Sequence, residues 1–93
     1  MTTVRIPPTL RPAAGNQRQV EVEGGTVGEL LENLATQYPG LQAQIFENGD
    51  IAPFVNVYLD SEDVRTLDGL ETAVEPGAKL ILLPAMAGGS DGD

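Results

Sequence analysis

The sequence predicts an α+β roll, in which one main helix lies across a mixed sheet, and three features carry this prediction. Two short segments near the start, residues 2–6 and 19–23, alternate apolar with polar side chains and favour a hairpin. A capped amphipathic segment begins at Thr26 and stops at Pro39, as a single helix does. A nearly continuous apolar run at residues 79–83 is expected of a central strand that is buried on both faces.

Each of the two N-terminal segments is predicted as a strand with one buried face. Val4 and Ile6 point inward in the first segment, and Val20 and Val22 do so in the second. The prolines at residues 7–8 end the first strand, because two successive residues without an N–H cannot continue a ladder.

The helix is predicted from its first turn and from its apolar stripe. Thr26 and Glu29 match a T-x-x-E capping box, which satisfies orphan N–H groups at a helix start. Pro39 and Gly40 end the helix. The apolar residues that recur at helical spacing are Val27, Leu30, Leu31, Leu34 and Tyr38.

The second half of the chain is predicted to hold one strong strand, a short strand and the final strand. Residues 41–45 fit a short extra turn of helix, and residues 48–50 fit a tight turn. Residues 54–60 are rich in β-forming side chains and predict a strand. Residues 61–63 follow as an acidic turn, and residues 64–67 as a short edge strand.

The predicted order is therefore strand, strand, helix, strand, short strand, strand. A right-handed crossover places the first and last strands side by side in the middle of the sheet. This is the β-grasp arrangement, which we predict for residues 1–84. The length of 93 residues fits one such domain, followed by a C-terminal tail at residues 85–93 that we expect to be flexible.

Composition excludes several classes of function. The chain has no Cys and no His, so it lacks thiolate metal ligands, disulfides and the usual general base. We therefore expect no metal site, no bound cofactor and no enzymatic activity of its own. The net charge of −9, with five basic residues, disfavours nucleic acid and anionic membranes as partners. The charge suits a basic patch on a partner protein, although solubility alone also accounts for it.

Nothing in residues 1–10 has the apolar core of a targeting segment. No stretch of the chain approaches the roughly 20 apolar residues that a membrane span needs. A cytoplasmic location is therefore expected.

The most informative local feature is the pair Gly88 and Gly89, shortly after the last predicted strand. Two residues without a Cβ make a narrow arm. Such an arm suits a partner enzyme that must bring a main-chain carboxylate up to ATP, because a side chain would obstruct the channel. The alternative is that the pair occurs by accident in a disordered end.

Further segments combine with this pair into a pattern that covers nearly the whole chain, through Gly89. They are Ile6-Pro7, Leu10-Arg11-Pro12, residues 26–34, Tyr38-Pro39-Gly40, residues 54–59, Glu62-Asp63-Val64-Arg65, Gly69-Leu70 and residues 81–89. In these segments the chain resembles the small ubiquitin-like sulfur carriers of thiamin, molybdopterin and cysteine biosynthesis. It resembles most the carriers of actinobacterial cysteine synthesis.

The resemblance implies a mechanism. An adenylating enzyme related to ubiquitin activators uses ATP to convert the carboxylate of Gly89 to an acyl-adenylate, and Gly88 gives clearance for threading. Sulfur from sulfide or a persulfide donor then displaces AMP from the acyl-adenylate, and the C-terminus becomes a thiocarboxylate. The thiocarboxylate gives its sulfur to a second enzyme, a pyridoxal-phosphate-dependent synthase in the cysteine branch. A pterin, a thiazole or a secondary metabolite stays open as the final acceptor.

Partner binding is predicted for apolar residues near the tail. The assigned residues are Phe54, Leu82, Pro84, Met86 and Ala87. Phe54 is placed on the sheet face opposite the helix, where alternate residues of the last strand leave an apolar patch. The alternative is that Phe54 only covers the sheet.

The remaining charged residues are predicted to be solvated side chains at the surface, without a binding or catalytic role. Arg11 and Arg65 are interpreted as solvated surface arginines, in preference to ligands for a partner's carboxylates. Lys79 is interpreted as a solvated charge beside a strand. The acidic residues at 60–63 lack the spacing of a calcium loop, so an exposed turn is expected.

The chain departs from the family pattern after Gly89, where Ser90 to Asp93 follow. The resemblance implies that a JAMM-class zinc metalloprotease removes these residues before activation, unless they are a cloning remnant. Two other readings stay open. One is a ubiquitin-like interaction module without sulfur transfer, and the other is a conjugation module that attaches through Gly89 to lysines.

Overall fold

The computed structural model describes residues 1–84. Its strands and helices follow the predicted order, with an additional two-strand hairpin at residues 46–51 that the sequence analysis did not predict. The strands are β1 (Thr2–Arg5), β2 (Gln19–Val22), β3 (Phe46–Glu47), β4 (Asp50–Ile51), β5 (Val55–Leu59), β6 (Glu62–Asp63) and β7 (Lys79–Pro84). The helices are α1 (Val27–Gln37) and α2 (Gln42–Ile45), with 3-10 turns at Arg11–Ala14, Pro39–Leu41, Val64–Thr66 and Gly69–Glu71.

Five strands form the main sheet, in the order β2-β1-β7-β5-β6. β1 and β7 are parallel neighbours, and the other three pairs are antiparallel. The first and last strands therefore lie together in the middle, which confirms the β-grasp prediction. A separate hairpin of β3 and β4 forms a second small sheet.

The apolar stripe of α1 packs against the inner face of the sheet. Val27, Leu30, Leu31 and Leu34 are all fully buried, as predicted. The sheet side chains in the same core include those of β1, β2, β5 and β7: Val4, Val20, Val22, Val55, Val57, Leu59, Leu80 and Leu82. Burial of these side chains supplies the main driving force of this fold.

The capping box of α1 forms with one difference from the ideal pattern. The hydroxyl of Thr26 accepts the N–H of Glu29 at 3.2 Å. The carboxylate of Glu29 accepts the N–H of Gly25 at 2.8 Å, one residue before the N-cap position that the ideal box would use. Two N–H groups at the helix start are satisfied in either case.

The region after α1 contains the predicted extra turn. A 3-10 turn leads into α2, and Leu41 and Ile45 are fully buried. The predicted tight turn joins β3 to β4. Asn48 and Gly49 both have positive φ, at 56° and 80°, as a two-residue hairpin of this type requires.

The prediction for the short edge strand was wrong in position. Glu62–Asp63 forms that strand, and residues 64–67 begin with a 3-10 turn. Asp60 and Ser61 have positive φ, at 48° and 79°, so they close a two-residue turn and pairing resumes at once. The Asp63 carboxylate then caps the 3-10 turn by accepting a backbone N–H at 2.9 Å.

The prediction that the last strand is buried on both faces was also wrong. Leu80 and Leu82 point into the core, at 0% and 1% exposure, whereas Ile81 is partly exposed and Leu83 is 43% exposed. The helix covers one face of the sheet. The other face stays open over the part of the chain that the structure describes, although β7 is central. An apolar run in the middle of the sheet thus supplies both a core and an uncovered surface.

Candidate functional site

The site is built around the end of β7, from which the chain continues into residues 85–93. β7 lies between β1 and β5, and its last residue, Pro84, pairs with Val55. On the other side, β1 ends at Arg5, which pairs with Ile81. The chain therefore leaves the middle of the sheet, beyond the end of β1.

Several predicted site residues belong to the continuation of the chain. Met86, Ala87, Gly88 and Gly89 lie outside the described residues, so their predicted roles stay predictions. What the structure defines is the surroundings of Pro84.

An apolar cavity of about 240 Å³ adjoins Pro84. Its lining comes from five further residues: Thr9, Leu10, Gln44, Phe54 and Val55. Phe54 lies in the turn just before β5 and is 47% exposed, so the structure places it at the surface and beside Pro84. This exposure is consistent with its predicted role in partner binding, which no observation here tests directly.

The side chain of Leu82 faces the core and is 1% exposed, so the structure gives its predicted role in partner binding no support. Leu82 pairs with Val57, and both side chains are buried in the core. Side chains alternate between faces along a strand, so a register error of one residue exchanges the two sets. The outward residues of β7 are Ile81 and Leu83.

The outer face of the sheet carries a mixed row of side chains at this level. Ile81 lies between Arg5 on β1 and Tyr58 on β5, and Leu83 pairs with Asn56. These neighbours are partly or fully exposed. The apolar side chains of β7 are thus bordered on both sides by polar ones, as in many protein-binding surfaces.

Arg65 is exposed, as the sequence suggested, and Arg11 is half-buried, but the guanidinium of each is also hydrogen-bonded to the protein. The Nε–H of Arg11 donates to the carbonyl of Ile6 at 3.1 Å. Arg65 donates from Nη2 to the carbonyl of Ala52 at 2.8 Å and from Nη1 to Oδ1 of Asn56 at 3.1 Å. Arg65 is therefore held by groups 9 and 13 positions away, which no local pattern indicates, whereas the partner of Arg11 is only 5 positions away.

A second cavity, of about 190 Å³, lies on the outer face beside β7. It is lined by residues from the end of β1, the segment after it and β7: Arg5, Ile6, Pro7, Pro8, Arg11, Ile81, Leu82 and Leu83. The two cavities place apolar surface on either side of the end of β7.

The remaining charges match their predicted roles. Lys79 is exposed at the start of β7, and the acidic residues at 60–63 lie at the surface or half-buried. Within residues 1–84, no group of acidic side chains is arranged to hold a metal ion. No helix in the same range is long and apolar enough to cross a membrane.

Comparison with known proteins gives one family. The sequence profile of the ThiS family matches residues 4–89, so the match extends through the Gly-Gly pair. Sulfur carrier protein CysO of Mycobacterium tuberculosis is 40% identical over 90 residues, which is 94% of this chain and 97% of the relative.

Two further relatives extend the picture. A chain in the crystal structure of the Amycolatopsis orientalis BexX/CysO complex superposes with a TM-score of 0.89 at 39% identity, covering 95% of this chain and 99% of that one. Small archaeal modifier protein 3 of Haloferax volcanii is 37% identical over 67 residues, which is 72% of this chain and 73% of the relative.

Proposed function

This chain belongs to the ThiS family and is a sulfur carrier, and we propose that its reactive group is the carboxylate of Gly89. The observation that supports this proposal best is the place of the Gly-Gly pair. It follows a central strand that ends at an uncovered apolar surface. The match to the sequence profile of the family includes both glycines.

Activation requires an adenylating enzyme related to ubiquitin activators. The Gly89 carboxylate attacks the α-phosphate of ATP, pyrophosphate leaves, and an acyl-adenylate forms. Sulfide attacks the acyl carbon and displaces AMP, which leaves a thiocarboxylate. With a persulfide donor the same attack gives an acyl disulfide, and a thiol of the sulfur-donating enzyme must then cleave its S–S bond, which releases the thiocarboxylate and leaves a disulfide on that enzyme. The chain itself supplies no acid, base or bound cofactor to these steps. We place the reaction in the cytoplasm, where ATP is available.

The thiocarboxylate gives its sulfur to a second enzyme. The 40% identity with a CysO carrier supports cysteine synthesis as the pathway, and the superposition on a chain of the BexX/CysO complex supports transfer of sulfur to a partner enzyme. We propose a pyridoxal-phosphate-dependent synthase as the acceptor enzyme. Its bound electrophile would be attacked by the thiocarboxylate sulfur, a strong nucleophile that is ionised at neutral pH.

The surface beside Pro84 is proposed to dock these enzymes. Phe54 offers an exposed aromatic side chain at the rim of the apolar cavity, and Leu83 extends the surface onto the outer face. Exposed aromatic and apolar anchors of this kind carry much of the binding energy in protein interfaces. Pro84, Met86 and Ala87 would complete the contact along the chain toward the glycines.

Activation also requires removal of Ser90 to Asp93. In the full chain the carbonyl of Gly89 is bound in a peptide bond to Ser90, so it has no free carboxylate. Asp91 and Asp93 would bring charged side chains into an active site shaped for glycine, at a cost of several kcal/mol for desolvation. We propose a JAMM-class metalloprotease as the processing enzyme.

The test compares the full chain with a version that ends at Gly89. Each is incubated with the purified adenylating enzyme, ATP and sulfide, and intact mass and pyrophosphate release are measured. Only the shorter version should exchange one oxygen for sulfur. A version that ends at Ala87 is the matched control and should stay unchanged. Equal sulfur incorporation at Asp93 of the full chain would refute the precursor proposal.

Conjugation is the second candidate, and the similarity to a small archaeal modifier protein favours it. Conjugation shares the adenylation step but ends in an amide bond to a lysine. It would appear as higher-mass adducts of the version ending at Gly89 in cell extract with ATP. Their absence from extract that does support sulfur incorporation would exclude conjugation under those conditions.

A further inference from the structure

Four of the five basic residues of this acidic chain, all of them arginines, lie toward one end of the sheet, and Lys79 lies at the other end. The net charge is −9, with 14 acidic and five basic residues. Arg5 is the last residue of β1. The next residue, Ile6, donates its backbone N–H to the carbonyl of Arg18 at 2.8 Å. Arg11 is tied to Ile6 as well. Three arginines therefore lie at the end of the hairpin beside which β7 finishes.

Arg65 lies at the same end on the other side of β7. Its Nη1 donates to Asn56, and Asn56 pairs with Leu83, the penultimate residue of β7. Since β7 runs between β1 and β5, guanidinium groups border its outward residues on both sides. We call Arg5 and Arg11 on one side, and Arg65 on the other, the arginine flanks.

The flanks are suited to bind carboxylates. The acceptors of Arg11 and Arg65 are neutral oxygens, so these hydrogen bonds orient the guanidiniums without neutralising them. Each guanidinium keeps further N–H donors, which suit a bidentate carboxylate. A side chain that is already held loses less conformational entropy on binding. Arg5 is exposed and lines the 190 Å³ cavity together with Arg11.

Much of the negative charge lies toward the opposite end of the sheet, although Asp63 lies at the level of Ile81 and its carboxylate accepts the backbone N–H of Arg65 at 2.9 Å. Glu21 pairs with Thr3, close to the start of β1. The Asp60 carboxylate accepts the N–H of Lys79 at 3.0 Å, at the start of β7. Glu75 precedes that strand and is exposed. The domain is thus electrically polar along β7, and its positive end is the end from which residues 85–93 follow.

We infer that the arginine flanks bind an acidic segment of the adenylating enzyme. An apolar side chain of that segment would contact Ile81 and Leu83. Net charge alone suggests a basic partner, but the local charge around the end of β7 has the opposite sign. A partner with acidic residues around its active-site opening would attract this end and repel the rest of the domain. Encounters would then occur with the C-terminal end first. This inference deepens the proposed function and rests on it.

The first experiment locates the site without any enzyme. A 15N-labelled version ending at Gly89 is titrated with the peptide Glu-Leu-Glu-Glu-Leu-Glu, and with the same peptide carrying Gln for Glu. The acidic peptide should shift the amides of residues 81–83 and the Nε–H signals of Arg5, Arg11 and Arg65, with an effect that declines as NaCl is raised. Absent shifts, or equal shifts with the Gln peptide, would overturn the inference.

The same titration on the full chain tests a competing occupant. Asp91 and Asp93 give the chain an acidic segment of its own. Equal peptide binding by the full chain and the shorter version supports a partner segment as the occupant. Binding by the shorter version alone would show that Asp91 and Asp93 compete for the flanks until they are removed, which also supports an acidic ligand there, whereas binding by neither version would overturn the inference.

The second experiment uses the adenylating enzyme and matched charge reversals. Arg5→Glu removes a flank charge, and Lys79→Glu makes the same change at the far end of the sheet. Arg5 has a side chain that is exposed, so both variants should keep the wild-type melting temperature. The association rate at low salt should fall about tenfold for Arg5→Glu and change less than about twofold for Lys79→Glu. Equal effects would refute the inference.

The two proposals fail in different ways. If the wild-type version ending at Gly89 gains sulfur but Arg5→Glu associates as fast as Lys79→Glu, the arginine flanks are refuted and sulfur transfer stands. If the acidic peptide binds at the flanks but no sulfur is gained with the enzyme, the flanks are supported as an acidic-segment site and the sulfur-carrier activity is refuted.

Discussion

At the scale of single residues, two neighbouring glycines differ in whether the structure leaves space for a side chain. Gly24 and Gly25 are adjacent and both precede α1. A Cβ at Gly24 would lie 2.9 Å from the backbone nitrogen of Leu30 and 3.1 Å from the Cβ of Glu29. A Cβ at Gly25 would meet only the Oε1 of Glu29, at 3.6 Å. Close approach to the helix start therefore requires glycine at the first position only.

We predict that Gly24→Ala lowers the free energy of unfolding by about 1–3 kcal/mol, because the helix start must shift to admit the methyl group. Gly25→Ala is the matched control and should change it by less than about 0.5 kcal/mol. Urea denaturation of both variants measures the difference. Equal stability of the two variants would mean that the close approach at Gly24 is relieved at no cost.

Phe54 is the residue-scale test of the docking surface. Phe54→Ala should weaken binding of the adenylating enzyme by about 1–3 kcal/mol, the range of a moderate hot spot. The melting temperature should change little, because the side chain is 47% exposed. Calorimetric titration and thermal unfolding measure the two quantities. Unchanged affinity with a large loss of stability would instead make Phe54 a structural residue.

At the scale of elements, β7 combines two roles in one strand. Its inward residues join the core beneath α1, and its outward residues lie on the open face beside the end of the strand. The apolar pattern is the same for both sets, since all the residues at 80–83 are Leu or Ile. Only the register against β1 and β5 separates core from surface.

Two adjacent leucines of β7 should therefore respond in opposite ways. Leu82→Ala should lower the free energy of unfolding by about 2–5 kcal/mol, because it leaves a cavity in the core. Leu83→Ala should cost less than about 1 kcal/mol in stability but weaken partner binding, because this side chain is 43% exposed. Urea denaturation and binding measurements on both variants test this prediction. If Leu83→Ala lost stability and Leu82→Ala lost binding, Leu83 would face the core and Leu82 the surface.

At the scale of the whole molecule, charge opposes folding. The acidic residues outnumber the basic ones, 14 to five, so like charges are brought together when the chain becomes compact. The arginine flanks moderate this repulsion only at one end of the sheet.

We predict that screening stabilises the domain. Raising NaCl from about 10 mM to about 150 mM shortens the Debye length from roughly 30 Å to 8 Å, so repulsion between distant carboxylates should decline. The melting temperature should rise by a few degrees, which corresponds to less than about 1 kcal/mol for a domain of this size. The sulfate salt of the same ionic strength controls for specific anion effects. A melting temperature that falls with NaCl would show that attractive pairs dominate.

The sequence by itself determined the order of the main-sheet strands and of α1, the inward residues of the N-terminal hairpin and the family resemblance through Gly89, while the strands of the small hairpin at residues 46–51 were not predicted. These features depend on side-chain periodicity, caps and turn residues, which act over a few positions along the chain. Val4, Val20 and Leu34 were therefore predicted as buried without knowledge of their neighbours.

Tertiary structure alone decided the facing of Leu82 and Leu83, the position of β6 and the partners of the arginines. The facing of the two leucines and the contacts of Arg65 depend on groups that are distant in sequence, whereas β6 follows a two-residue turn and Arg11 contacts Ile6, 5 positions away. Arg65 reaches the carbonyl of Ala52 across 13 positions, and Asp60 meets the N–H of Lys79 across 19. Strand register fixes which face a residue occupies, and a shift of one residue reverses it. The polarity of charge along β7 arises in the same way, because strand pairing brings arginines from separate segments to one end of the sheet.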